Sequence, residues 1–249
     1  MPSIISIHSF RGGTGKSNTT ASIAALYAQQ GLRVGVVDTD IQSPGIHVLF
    51  GVDGSQVKHS LNDYLWGKCE IDDAALDVTP SPLKGRVFLI PSSIKAGEIA
   101  RVMRDGYDVG LLNDGFHDLV EKLNLDVLLI DTHPGLNEET LLSIAISDVL
   151  GIILRPDKQD YLGTAVTVEV ARQLGVPRML LVVNKVPQVF DPAEVKARVE
   201  RTYDCVVAGV LPHSDEMMVL ASGGIFALLY PDHPLTGMLR QIASQLVSN

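Results

Sequence analysis

The stretch Ser9-Phe10-Arg11-Gly12-Gly13-Thr14-Gly15-Lys16-Ser17 joins an apolar run, Ser3–Ser9, to a segment with helical character, Lys16–Gln30. Strand, glycine-rich turn and helix in that order form the setting of a phosphate-binding loop. The glycines let the backbone turn several N–H groups inward as an anion nest. The helix that follows adds the positive end of its dipole. In this reading Lys16 reaches the β- and γ-phosphates of a nucleotide and the Ser17 hydroxyl coordinates Mg²⁺. The common spacing Gly-x4-Gly-Lys-Ser/Thr would place a glycine at position 10, where this chain has Phe10. The departure is specific, because Gly12-Gly13 follow a cation, Arg11. A glycine-rich turn without a ligand is the bland alternative, and the correct flanking strand and helix weigh against it.

Outward from the loop, short runs rich in Val and Ile recur: Arg33–Asp38, Arg86–Pro91, Asp126–Thr132, Val149–Arg155, Arg178–Lys185 and Cys205–Leu211. They are apolar on both faces, as strands covered by helices on both sides of a parallel sheet must be. Between them lie predicted helices over Val109–Leu123, Glu138–Ile146, Tyr161–Leu174, Pro192–Tyr203 and Leu235–Val247. Gly31 and Gly175 stand where helix C-caps belong. The alternation predicts an α/β fold: a doubly wound, mainly parallel sheet with helices on both faces. Ligands of such sheets bind at the carboxyl ends of the strands. Residues Trp66–Pro82, with Asp72, Asp73, Asp77 and two prolines, read as a loop with a short helix. No linker, repeat or low-complexity run divides the chain, so residues 1–249 are expected to form one domain.

Carboxylates mark two further strand ends. Asp38 and Asp40 leave the second run two residues apart, and both can approach a phosphate-bound metal. The alternative is that one Asp merely caps the next turn. Asp131 closes the run Asp126–Thr132, where a buried carboxylate is costly unless a metal's water shell satisfies it. Asn184 ends a later strand and is placed to hydrogen-bond a purine, although asparagine at a strand end also caps turns. Guanine-binding proteins follow such an Asn-Lys with x-Asp; here that position is Pro187, which favours adenine.

The formal net charge of −9 argues against a protein whose main work is coating nucleic acid. Cys69 and Cys205 lie far apart and suit a reducing cytoplasm. The N-terminal run lacks the basic region of a signal peptide, and no apolar stretch approaches the roughly 20 residues that cross a bilayer.

Arg11-Gly-Gly-Thr-Gly-Lys16-Ser17 resembles the deviant Walker A box of the ParA/MinD family of ATPases, which are P-loop NTPases of the SIMIBI type. The resemblance runs from the first strand to the last helix. It implies ATP and ADP as ligands with Mg²⁺, and hydrolysis of ATP to ADP and phosphate. Its nucleotide-binding residues would be Arg11, Gly12, Gly13, Thr14, Gly15, Lys16, Ser17 and Asn18, with Asn184, Pro212 and Asp215 around adenine. Ser17, Asp38 and Asp131 would hold the metal, while Lys16, Asp40 and Arg11 would act in catalysis. Asp40 would position the attacking water, and Arg11 would cross an ATP-dependent homodimer interface to the partner's nucleotide. The family has lysine at that position, and arginine is not a neutral exchange. Asp131-Thr-His133-Pro-Gly resembles the family's second switch, with His133 where a proline is usual.

The resemblance further implies an adaptor or activating protein and a role in positioning or partitioning a DNA or protein cargo. Non-specific nucleoid DNA stays open as a partner through Lys196, Arg198, Arg201, Arg101 and Arg104, although acidic residues interrupt that set. The last helix carries one basic residue, Arg240, and reads as core rather than as a membrane-targeting helix. The cysteines do not offer the paired ligands of iron–sulfur relatives, and the tail Ile242–Asn249 has no tyrosine cluster. Two other readings are a nucleotide-sensing regulator with little hydrolysis and an ATP-dependent ligase.

Overall fold

A computed structural model describes residues 2–247; Met1 and the last two tail residues, Ser248 and Asn249, lie outside the described residues. Among the described residues, eight strands form one sheet in the order β3-β4-β2-β5-β1-β6-β7-β8. These are β1 (Ser3–His8), β2 (Arg33–Asp38), β3 (Leu76–Asp77), β4 (Arg86–Ile90), β5 (Val127–Asp131), β6 (Val149–Leu154), β7 (Arg178–Val186) and β8 (Val206–Pro212). All neighbours run parallel except the edge pair β3–β4.

The helices are α1 (Lys16–Gln29), α2 (Ile46–Leu49), α3 (Leu61–Leu65), α4 (Ala96–Asp105), α5 (Gly110–Lys122) and α6 (Glu138–Ala145). They continue as α7 (Lys158–Gln173), α8 (Pro192–Tyr203), α9 (Asp215–Leu220), α10 (Phe226–Leu229) and α11 (Pro234–Val247).

Successive strand residues enter different cores. Ile5 and Ile7 of β1 and Val127 and Leu129 of β5 join the core built with α1, α10 and α11. Ile4, Leu128 and Ile130 join the core under α3 and α5. Leu150, Ile152 and Leu154 of β6 meet α7 and α8 in a third. Each strand is therefore buried on both faces, which is why its sequence does not alternate. Helix α1 is buried nearly all round, and its Tyr27 hydroxyl donates to the Ala243 carbonyl of α11 at 2.7 Å.

The region read as a loop, 66–82, holds a 3₁₀ turn (Asp72–Ala74) and the two-residue strand β3. Gly31 and Gly175 have φ of +96° and +73°, as the expected helix ends require. Helix α7 starts three residues before its predicted boundary because Asp157 caps it, accepting from the N–H groups of Gln159 and Asp160. No helix among the described residues is long and apolar enough to cross a membrane. Four of the five candidate DNA-facing cations are partnered within the chain: Lys196 with Glu200, Arg101 and Arg104 with Asp105, and Arg198 with Tyr161.

Candidate nucleotide site

Strand β1 lies mid-sheet between β5 and β6, and the loop that leaves it opens at the carboxyl ends of the strands. The neighbouring ends deliver Asp131 from β5 and Asp38 from β2, which are register partners. A cavity of about 320 Å³ lies over the loop. Gly12 to Asn18 line it, together with Asp40, Ser43, Pro134 and Lys185.

Helix α1, like α2, α4, α5 and α10, begins without a capping side chain, in contrast to the helices that follow the later strands. Helices α6, α7, α8 and α9 each begin with a side chain that accepts from their first N–H groups. The N-cap of α1 is Gly15, with φ +98°, no capping side chain and no acidic residue in the first turn. Its first donors are thus left for an external anion. Gly15 is required twice over, since a Cβ there would also collide with the Asn184 amide.

The Lys16 ammonium is buried and lies 3.5 Å from the Asp131 carboxylate, which Thr20 Oγ1 approaches at 3.4 Å. Burial, then the nearby Asp131 and Asp40 charges, push the Asp38 carboxyl well above its usual value. A divalent cation beside this pair would relieve that repulsion. The residues therefore fit a Mg²⁺-nucleotide: Ser17 Oγ and phosphate oxygens as ligands, with Asp38 and Asp131 acting on its water shell. The buried Thr14 Oγ1, without a hydrogen-bond partner, is a further free polar atom of the loop.

Asp40 lines the cavity and is held by His133, from the segment after β5. His133 Nδ1 lies 2.6 Å from Asp40 Oδ1, and Ser43 donates to the same oxygen through its N–H and hydroxyl. Burial raises the Asp40 carboxyl, but the His133 hydrogen bond and charge, Lys16 and Ser43 outweigh it and hold the pKa below the usual value. His8, behind the loop on β1, is fully buried and bonded to Thr132 Oγ1 at 2.8 Å. Burial and the Lys16 charge lower its pKa to about 3, so the ring is neutral and adds no charge beside Lys16.

Asn184 and Pro212 line a second, adjoining cavity of about 230 Å³ with Asn18, Met217 and Met218. Part of Asn184's capacity is spent on the loop, since Nδ2 donates to the Thr14 carbonyl at 2.8 Å. Lys185, with φ +57°, donates to the Gly13 carbonyl at 2.8 Å. Asp215 is not brought to this cavity. It opens α9, and its side chain is 92% exposed and lies 3.3 Å from His213.

Arg11 turns away from the phosphate cavity. Its guanidinium donates to Gln159 Oε1 and lies 3.9 Å from Asp157 and 3.7 Å from Asp160 at the start of α7. Phe10 packs so closely on Gly163 of α7 that a Cβ there would overlap its ring. No short-range pattern marks Phe10, Lys185 or His8, because their roles arise from strands and helices far away in sequence.

A glycine loop on the central strand, uncapped at its helix and faced by strand-end carboxylates, defines the class of parallel α/β proteins built to hold nucleotide phosphates. A family model described as ParA, NUBPL iron-transfer P-loop NTPase, matches residues 1–247. An uncharacterized ATP-binding protein of Methanocaldococcus jannaschii is 30% identical over 244 residues, 98% of this chain and 87% of that protein. An iron-sulfur cluster carrier protein of Methanococcus maripaludis is 28% identical over 183 residues, 72% of this chain and 59% of that protein. The septum site-determining protein MinD complexed with Mg-ADP, from Pyrococcus horikoshii OT3, has the same fold. Its TM-score is 0.82 at 21% identity, over 100% of this chain and 97% of that one. The chain belongs to the ParA/MinD family of P-loop NTPases.

Proposed function

We propose that this protein, as one domain, binds ATP with Mg²⁺, dimerises around it and slowly hydrolyses it to ADP, acting as a switch for an intracellular cargo. The observation that carries the reading is the uncapped start of α1 beneath Lys16, facing Asp38, Asp40 and Asp131. The Mg-ADP complex of the MinD relative supports the choice of ligand.

In this reading the N–H groups from Gly12 to Ser17 and the Lys16 ammonium hold the phosphates. When bound, Mg²⁺ would supply neutralisation of phosphate charge. Asp38 and Asp131 order its water shell, and Asp40, fixed by His133, orients the attacking water. Positioning and electrostatics of this kind are most of what a protein contributes to phosphoryl transfer. The adenine lies against Pro212 and the Met217–Met218 wall. Arg11 leaves Asp157, Gln159 and Asp160 to reach a partner subunit's phosphates. An adaptor protein would accelerate turnover, and a cytoplasmic location, with or without nucleoid DNA, suits the role.

Titration calorimetry tests the reading: wild type should bind ATP-Mg²⁺, and Lys16→Ala should bind at least about tenfold more weakly, the loss of one charge-assisted contact. Equal affinity in the variant would refute it. If ATP binds but no phosphate is released even with an adaptor, the nucleotide-sensing reading takes its place.

Iron-sulfur carriage, suggested by the family description and one relative, has weak support from the thiols. Cys69 lies before the 3₁₀ turn that leads to edge strand β3, whereas Cys205 directly precedes the opposite edge strand, β8. Burial raises both thiols, Cys69 to about 11, away from the thiolate a cluster needs.

A further inference from the structure

Beyond β2, at the carboxyl end of β4, lies a separate cavity of about 130 Å³. His47, Ser60, Ser92 and Ser93 form its polar wall, with Lys58 and Lys95 exposed at its mouth. His47 is 7% exposed, and its Nδ1 is buried without a hydrogen-bond partner. A buried polar atom left unpaired is costly, so Nδ1 is open to a ligand's donor or acceptor. Lys58 has no ion-pair or hydrogen-bond partner among the described residues. Lys95 donates to Glu98 Oε1 at 3.3 Å, so its charge is already partnered. The one carboxylate in the lining, Asp63, is already committed. It accepts from Lys68 at 2.7 Å and from the Ser60 N–H and hydroxyl at 3.1 Å each. Lys58 is therefore the uncompensated charge at the cavity, with Lys95 available by exchange from Glu98.

The volume selects the size of an occupant. At about 130 Å³ the cavity lies below the roughly 300–1,000 Å³ of small-molecule pockets, which suits a compact oxyanion rather than a nucleotide. The wall is also tied to the segment that carries Asp40. Ser92 Oγ donates to the Asp38 carbonyl at 2.7 Å. Asp38 Oδ2 accepts from the Gly45 N–H at 3.3 Å, and Gly45 is the N-cap of α2, which bears His47.

We propose that this cavity is a regulatory site for a small free oxyanion, a phosphate or a short carboxylate, held by His47, Lys58 and Lys95. Its occupancy is communicated to residues 38–45 through Ser92 and α2. The binding site stands on its own geometry; the communication rests on reading Asp38–Asp40 as part of the nucleotide site.

The test is the imidazole nitrogen signal of His47 in ¹⁵N-labelled full-length protein, assigned by its loss in His47→Gln. Inorganic phosphate, sulfate and succinate are titrated separately, which distinguishes a phosphate ligand from a carboxylate. At least one should give a saturable shift, and Lys58→Ala/Lys95→Ala, changed only at the exposed mouth, should weaken it about tenfold or more. No saturable shift with any of the three, or an unchanged affinity in the double variant, would overturn the site. Repeating the titration with saturating Mg-ADP should change the anion's affinity about fivefold, since coupling is reciprocal. The same affinity with and without bound Mg-ADP would overturn the communication. Failure of Mg-ADP to bind, visible at the Gly12–Ser17 amides, would count against the proposed function instead.

Discussion

At the scale of single residues, the pair Asp40–His133 distinguishes this site. Its 2.6 Å contact joins the segment after β2 to the segment after β5, so neither carboxylate nor ring is free to drift. A charge-assisted hydrogen bond of this kind contributes about 1.5–3 kcal/mol, less here because both groups keep some solvent contact. His133→Ala should therefore lower kcat about tenfold with KM for ATP nearly unchanged, and His133→Gln, which can still donate, should recover part of it. Steady-state phosphate release checks this, and an equal fall in both variants through KM would point to nucleotide binding instead. Asp38 and Asp131 were legible as residues because each ends an apolar run at a strand's carboxyl end, and Asp40 because it follows Asp38 by two residues. The function of His133 was not, since a lone histidine in a loop gives no sign of a partner 93 positions away. Asp215 shows the converse: three residues after the base-pocket proline in sequence, it turns outward as the first residue of α9.

At the scale of elements, α7 braces the phosphate loop from outside. Gly163 admits the Phe10 ring, and Asp157, Gln159 and Asp160 hold Arg11. Gly163→Ala would force the ring aside, an overpacking cost of about 1–3 kcal/mol. In a chain of this size that is a fall in Tm of about 2–4 °C per kcal/mol, read by thermal unfolding. An unchanged Tm would show that Phe10 is loosely held. The strand-helix alternation was readable because both faces of each central strand are covered and because helices announce their ends with Gly31 and Gly175. Helix α7 was placed three residues short because its cap, Asp157, follows a proline in a segment that reads as turn. Strand β3 is two residues long, paired antiparallel to β4, and too short for any periodicity to reveal.

For the whole molecule, acid sensitivity follows from carboxylates with lowered pKa. Burial raises Asp160, but its hydrogen bonds with Arg155 and the charges of Arg155 and Arg11 bring it below the usual 3.8. A depressed pKa adds stability that is present above the unfolded value and is lost as pH falls through the folded one. Asp40 and Asp63 act in the same direction. Asp38, whose pKa is raised, acts oppositely and costs stability as pH rises. Tm should therefore fall as pH drops below about 4, and Asp160→Asn should make that fall shallower while lowering Tm at neutral pH. A Tm that is flat from pH 5 to 3 in wild type would contradict the assignment. The account's central claim concerns assembly: ATP draws two chains together, and Asp40 resets them. Light-scattering mass on size exclusion, with ADP-Mg²⁺ and with ATP-Mg²⁺, measures it in wild type and Asp40→Ala. A dimer that forms only with ATP and accumulates in Asp40→Ala is the predicted result. A monomer under every condition would contradict it, leaving Arg11 on α7 and the protein a nucleotide sensor.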